Sequence, residues 1–285
     1  MFSVIIPTYH RNDLLAKCLD GLAPGVQSLS ADQYEVIVSD DGRQTTAKAM
    51  IQQHYPWVRW VEGPRKGPAA NRNNGARYAQ REWLVFTDDD CLPDPQWLSA
   101  YKEAVSDSAL ALEGSIHPIG DPNQDLAECP VNLTGGCFWS ANIAVKRSVF
   151  EALGGFDQSY VLAAHEDQDL KTRLERLTTI LFVPRAKVYH PVRIISLKQA
   201  INHIPAKAKN WSYHVLKNDM ISLSGGPLLF VILHYKFYFL QFLRQLYRLH
   251  FANSLLALFG LIYGIPIILF YTFRSKLGRR ATQEQ

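Results

Sequence analysis

A chain of 285 residues, 47% of them apolar and 20% charged, holds material for one large core and little room for a second complete one. Its formal net charge of +4 is small for this length, and its Lys and Arg residues gather toward the C-terminus rather than along an aromatic-lined groove, which argues against a nucleic-acid partner. Cys18, Cys91, Cys129 and Cys137 form no C-x-x-C pair, so neither a zinc cluster nor a disulfide framework is expected, and they read as small core residues in a reducing cytosol.

The first apolar run, Phe2 to Pro7, is too short for a signal segment and has no basic residues before it, so no export is expected. Ser3 to Ile6 is β-branched and reads as a strand. Leu14, Leu15, Cys18, Leu19 and Leu22 then recur at helical spacing. A second strand, Glu35 to Ser39, ends in Asp40-Asp41-Gly42. Gly67 to Gln80 reads as a loop feeding a helix, and a third strand, Trp83 to Thr87, ends in Asp88-Asp89-Asp90. Alternation of this kind predicts an α/β fold. In open sheets ligands bind beyond the carboxyl ends of the strands, so the two acidic clusters point to one site.

From about Leu110 the pattern is less regular, with Gly135-Gly136 and Gly154-Gly155 marking turns, until a helix begins near Asp167 with Leu170, Leu174 and Leu177 on one face. Residues 1–224 therefore read as the catalytic domain. After Gly225-Gly226-Pro227 the composition turns apolar. Residues 227–250 place His234, Gln241, Arg244, Gln245 and Arg248 close to one helical face, which predicts an amphipathic helix in a membrane interface. Residues 252–273 are almost free of charge and about 33 Å long if helical, which predicts a transmembrane or re-entrant helix, with Pro266 allowing a kink and a buried core helix as the alternative. Residues 274–285 carry Arg274, Lys276, Arg279 and Arg280 and read as a basic cytosolic tail.

Three consecutive aspartates concentrate negative charge that a cation relieves, and their hard oxygens suit Mg²⁺ or Mn²⁺; a solvated turn before Pro93 is the alternative. Asp40 and Asp41 could be turn residues or hydrogen-bond acceptors facing a nucleotide. Asn71, Arg72 and Asn73 offer amide and cationic groups near a helix start, where anions are favoured. Glu166 and Asp167 fit a helix start by capping alone, yet either could take the proton of an acceptor hydroxyl.

Ser3-Val-Ile-Ile-Pro-Thr-Tyr9, Ser39-Asp-Asp-Gly42, Ala70-Asn-Arg-Asn-Asn-Gly75, Phe86-Thr-Asp-Asp-Asp90, Gly154-Gly-Phe-Asp157 and Glu166-Asp-Gln-Asp-Leu170, in this order and spacing over roughly the first 190 residues, resemble the family 2 glycosyltransferases of GT-A fold. The resemblance implies a Rossmann-like nucleotide-binding half with a mixed central sheet and inverting, metal-dependent transfer of a sugar from a nucleotide-sugar donor. It implies that Pro7, Thr8, Asp40 and Arg72 meet the nucleotide, that Asp88 and Asp89 serve the ribose or the metal's surroundings, and that Asp90, with Asp88 and His190, holds the metal. Asp167 matches the family's base with Glu166 beside it, and Trp139 and Asn142 stand where sugar or acceptor would sit, with a core position as the alternative for Trp139. No Gln-x-x-Arg-Trp signature of processive synthases occurs, so one or a few sugars are expected to be added. The expected partners are the donor, a lipid-linked or glycan acceptor and the membrane, with the catalytic domain cytosolic. A membrane-anchored, non-catalytic binding or scaffold protein and a nucleotidyltransferase are the alternatives, while the missing G-x-G-x-x-G after the first strand argues against a dinucleotide-dependent dehydrogenase.

Overall fold

The computed structural model of the chain describes residues 1–44, 46–160, 163–220, 225–264, 266 and 269–270. These form two compact units, one of Met1–Gly120, Cys129–Ser159 and Glu166–Val192, the other of Asp121–Glu128, Tyr160–His165 and the chain from Arg193 onward.

The first unit is built on an eight-stranded mixed sheet. Its strands are β1 (Phe2–Thr8), β2 (Tyr34–Asp40), β3 (Val58–Glu62), β4 (Trp83–Thr87), β5 (Leu92–Pro93), β6 (Ala111–Ile119), β8 (Asn142–Lys146) and β9 (Leu181–Pro191), while β7 (Ala127–Glu128) belongs to the second unit. The spatial order is β3-β2-β1-β4-β8-β6-β9-β5. The first four strands run parallel, and β8 pairs antiparallel with both β4 and β6.

Side chains alternate across a strand, and here both faces are dry. Phe2, Val4 and Ile6 of β1 join Trp83 and Val85 of β4 in one core, while Ile5 joins Leu84 and Phe86 in the other. Helix α1 (Asn12–Leu22) lays Leu15, Cys18, Leu19 and Leu22 on the first core, the spacing the sequence predicts. Each such leucine contributes roughly 1.5–3 kcal/mol by leaving water. Because β1 feeds β2 on one side and pairs β4 on the other, the strand order reverses beside β1. The chain ends there deliver Thr8, Asp40 and Asp88 to one crevice.

Helices α2 (Lys48–His54), α3 (Pro68–Arg77), α4 (Trp97–Ala104), α5 (Arg147–Ala152) and α6 (Glu166–Glu175) complete this unit. Gly67, at φ 93°, turns the chain into α3, whose first residue is Pro68. Asn73 of α3 then donates to the Phe156 carbonyl at 2.7 Å and accepts from the Phe156 amide at 2.9 Å, tying the Gly154–Gly155 turn to α3.

In the second unit, β7 pairs with β10 (Arg193–Ile194), and α7 (Leu197–Lys217) starts at Ser196 with a reciprocal capping box to Gln199. Helices Pro227–Tyr247 and Phe251–Phe259 follow, and a π-helical stretch occupies Gly260–Gly264. The expected membrane-spanning segment, 252–273, lies partly outside the described residues. Among the described residues no helix is long and apolar enough to cross a membrane. Of the anticipated 252–273 helix, Phe251–Phe259 is α-helical and Gly260–Gly264 continues it as π-helix, while several residues between 265 and 273 lie outside the described residues. Helix Pro227–Tyr247 is longer but includes Lys236 and Arg244. The boundary at 224 and the basic stretch 274–285 lie outside the described residues.

Candidate active site

The end of β1, the turn after it and the end of β4 meet in a charged cluster. The Thr8 hydroxyl donates to Asp89 Oδ2 at 2.7 Å, and Arg11 Nε donates to the same oxygen at 3.2 Å. One terminal nitrogen of Arg11 lies 2.5 Å from Asp89 Oδ1 and the other 2.9 Å from Asp90 Oδ2. Asp89 is fully buried, and that burial pushes its carboxyl up to about 7 against the opposing pull of Arg11 and Thr8. Arg11 is raised: burial alone would depress it, but Asp89 and Asp90 outweigh burial. Arg11 was absent from the sequence expectations. Its only signal was a cation three residues past the first strand, at the point where the strand order reverses.

His190, at the end of β9, reaches the same cluster. Its Nε2 lies 3.3 Å from Asp90 Oδ1, and its Nδ1 lies 2.9 Å from the Pro191 carbonyl. A proton on Nδ1 satisfies that carbonyl and leaves Nε2 facing Asp90. Burial would lower the imidazole, but Asp90 raises it overall. Ligand atoms of Asp90, Cys91 and His190 lie within 4.8 Å of one another. Cys91 is a poor third donor for a hard cation, since its sulfur points to the Ala141 carbonyl at 3.8 Å and burial holds its thiol well above the usual range. A carboxylate and an imidazole side by side fit a divalent ion such as Mn²⁺ or Mg²⁺, whereas Asp88, also expected as a ligand, is not gathered with them and pairs with Arg72.

Arg72 links β4 to α6. Its terminal nitrogens donate to Asp88 Oδ1 at 2.6 Å and to Glu166 Oε1 at 3.0 Å, and the residue is 3% exposed. Arg72, expected to meet the nucleotide, is paired in this structure with two carboxylates inside the protein. Burial would depress the guanidinium, but Asp88 and Glu166 raise it. Glu166 is pushed up to about 7 by burial, opposed by Arg72 and reinforced by Asp167. Asp167 is also raised by burial. One of its oxygens accepts from the Ser140 amide at 3.3 Å and the other from the Gln168 amide at 2.8 Å, so it helps start α6 while standing beside Arg72. Two buried carboxyls whose affinity for protons is raised by burial thus stand at the start of α6, joined through Arg72 to the aspartates after β4.

Other expectations are redirected. Asp40 accepts from the Gly42 amide at 2.8 Å, the Ala47 amide at 2.6 Å and Trp60 Nε1 at 3.1 Å, so it braces the loop after β2. Its neighbour Asp41 accepts from the Arg65 amide at 2.8 Å and is raised by burial. Asn142 belongs to the core. Its Oδ1 accepts from Trp97 and Tyr101, and its Nδ2 donates to the Ser115 and Ala186 carbonyls, which leaves nothing for a sugar. Pro7 is buried within β1 and offers no side-chain polar group. Trp139 is half-buried and packs against the core beneath β1 and β4.

Comparison with known proteins bears on this geometry. The family model described as Glycosyl transferase family 2 matches residues 3–125. The chain is 26% identical over 219 residues to a validoxylamine A glucosyltransferase of Streptomyces hygroscopicus subsp. limoneus, covering 61% of this chain and 48% of that protein. Over 93 residues it is 32% identical to a GalNAc(5)-diNAcBac-PP-undecaprenol beta-1,3-glucosyltransferase of Campylobacter jejuni, covering 31% of this chain and 29% of the relative. The chain spans about half the length of the first of these relatives. Among solved structures, the mannosyltransferase PcManGT of Pyrobaculum calidifontis, in complex with GDP-Man and Mn²⁺, superposes with a TM-score of 0.56 at 19% identity over 98% of this chain and 75% of that one, a likeness of fold.

Proposed function

We infer that this chain, whose residues 3–125 carry a family 2 glycosyl transferase domain, moves a sugar from a nucleotide-sugar donor to a hydroxyl of a lipid-linked or glycan acceptor, with inversion at the anomeric carbon. The observation that carries the reading is the buried Arg72 bridge, which joins the aspartates after β4 to the start of α6 and so gathers a cation-binding pair and a proton acceptor in one unit.

Asp90 and His190 are the residues that would hold a divalent ion. Such an ion supplies positive charge where the departing diphosphate becomes more negative. The remaining work falls to the chain. The acceptor hydroxyl attacks the anomeric carbon as the bond from that carbon to the diphosphate oxygen breaks, and Asp167 takes the hydroxyl proton. The Ser140 and Gln168 amides hold the Asp167 carboxylate in place, and Arg72 keeps Glu166 from crowding it with a second uncompensated charge. Arg11 offsets Asp89 and Asp90 within the cluster.

The ligands of the solved neighbours support a nucleotide-sugar donor: GDP-Man with PcManGT, and UDP, the nucleoside diphosphate part of such a donor, with S. aureus TarS 1-349. The undecaprenol in the Campylobacter relative's name supports a lipid-linked acceptor. A membrane location is supported by charge. Residues 193–285 hold 12 Lys and Arg against 2 Asp and Glu, a net +10 in a chain whose total is +4, so the first 192 residues carry −6. The test is hydrolysis of UDP-, GDP- and dTDP-sugars with Mn²⁺. The nucleoside diphosphate should be released from at least one donor, whereas release of pyrophosphate would replace sugar transfer by nucleotidyl transfer.

A further inference from the structure

The second unit holds a half-open cavity of about 730 Å³, a volume in the range of small-molecule sites. Leu126, Ile195, Ile204, Trp211, Phe237 and Leu256 give it an aliphatic and aromatic wall. Ala200 and Ala208 of α7, both buried, make room where longer side chains would fill it. Side-chain polar groups in its lining come only from Glu128, His165, Lys207, Trp211, Tyr238 and Asn253, few for water filling that volume. Lys207 and Glu128 are themselves paired at 3.1 Å.

The helix that supplies Leu233, Phe237 and Tyr238 to the cavity also exposes Leu229, Ile232, Phe239 and Leu240, each 45–53% accessible. Phe251, beside the helix that supplies Leu256, is 68% exposed. Apolar surface on that scale is foreign to a water-facing face. It lies on the same helices that wall the cavity, in the part of the chain with the +10 charge. An apolar cavity walled by helices with exposed apolar residues, in a strongly basic segment, matches one occupant: a long hydrocarbon chain drawn from an anionic bilayer.

We propose that this cavity binds the hydrocarbon chain of an anionic membrane phospholipid, lodged between α7 and the two C-terminal helices. The proposal rests on the membrane location argued above and goes beyond it, since helices can lie on a bilayer without admitting a lipid chain. Trp211 is the only tryptophan of the second unit and lines the cavity, which makes it a built-in reporter.

The full chain is mixed with phosphatidylglycerol and phosphatidylcholine vesicles whose acyl chains are brominated, because bromine quenches an indole it touches. Quenching of the wild type should lose at least half its amplitude in Trp211→Phe. Ala208→Phe, which puts a ring into the cavity, should still sediment with vesicles but lose the same component, and Ala200→Leu repeats the test should Ala208→Phe lose its helical circular dichroism. Quenching unchanged in Trp211→Phe, or undiminished in the folded filled variant while vesicles remain bound, overturns the proposal. Should the wild type bind no vesicles, the membrane location itself fails, and a brominated fatty acid added as monomer decides the cavity: saturable quenching lost in Trp211→Phe upholds it, and no quenching overturns it. Donor hydrolysis measured on the same samples reports separately on sugar transfer.

Discussion

At the scale of single residues, the cluster after β4 contains more negative charge than its surroundings can solvate, and Arg11 supplies the counter-charge. A divalent ion placed at Asp90 must compete with that guanidinium, since both draw on the same carboxylate. Arg11→Ala is therefore expected to bind Mn²⁺ more tightly in the absence of nucleotide, on the order of tenfold or about 1.4 kcal/mol. It should also melt at a lower temperature until Mn²⁺ restores the balance. Calorimetric titration with Mn²⁺ and thermal melts with and without it check both; weaker Mn²⁺ binding would make Arg11 a helper of the ion rather than its competitor. Arg11 escaped the sequence reading because its role depends on β1 and β4 lying side by side, and no local pattern carries that pairing. The aspartates themselves were legible, since acidic residues at strand ends announce themselves. Which of their oxygens are already spent was not: Asp40 and Asn142 look available in sequence and are consumed in the fold by three and four hydrogen bonds.

At the scale of elements, the turn before the 160s shows how one position fixes a site element. Gly155 has φ 70°, and a Cβ there would stand 2.5 Å from Asn73 Oδ1 and 3.0 Å from Phe150. Gly154 has φ 77° and open space around it. Gly154→Ala should cost about 1–2 kcal/mol, the left-handed penalty alone. Gly155→Ala should cost more, about 3 kcal/mol in total, because it also disturbs the two Asn73 bonds. Urea unfolding of both variants separates the terms, and equal losses would show that the crowding is relieved at no cost. In the second unit, His165 is driven down to about 4 chiefly by burial, with His214 and Lys207 adding to it, and its ring stacks on His214 at 5.5 Å. The native state keeps this ring neutral while the unfolded chain takes up a proton near 6.5. Its contribution to stability is therefore full above pH 6.5 and is lost as pH falls toward 4. The fall in melting temperature between pH 7 and 4.5 should be shallower in His165→Gln, and an unchanged slope would assign that pH dependence to other groups. In the first unit β1, β2, β4, α1, α3 and α6 were legible from period and strand-end chemistry; β3, β6, β8, β9, α2, α4 and α5 were not read, and the two-residue pieces β5, β7 and β10 carry no periodicity.

At the scale of the whole molecule, the sequence divided the chain by composition at Pro227, whereas the fold groups residues from Arg193 onward with the C-terminal helices. The reason is visible in α7. Its apolar positions, Ala200, Ala208 and Val215, pack within the second unit, but its polar residues make it read like part of a soluble domain. The apolar C-terminal segment was likewise legible as unusual, yet length and hydropathy alone could not show the π-helical stretch that follows Phe259. What the sequence resolved best is the constellation in the first unit, and the central claim about it is that Asp167 takes the acceptor's proton while Glu166 is held by Arg72. The direct measurement is turnover, donor affinity and melting temperature of Asp167→Asn beside Glu166→Gln. Asp167→Asn should lose about 10²–10⁴-fold in turnover with donor affinity and melting temperature nearly unchanged. Near-normal turnover in Asp167→Asn with a lowered melting temperature would leave it a helix-starting residue, and inactivity confined to Glu166→Gln would move the base to its neighbour.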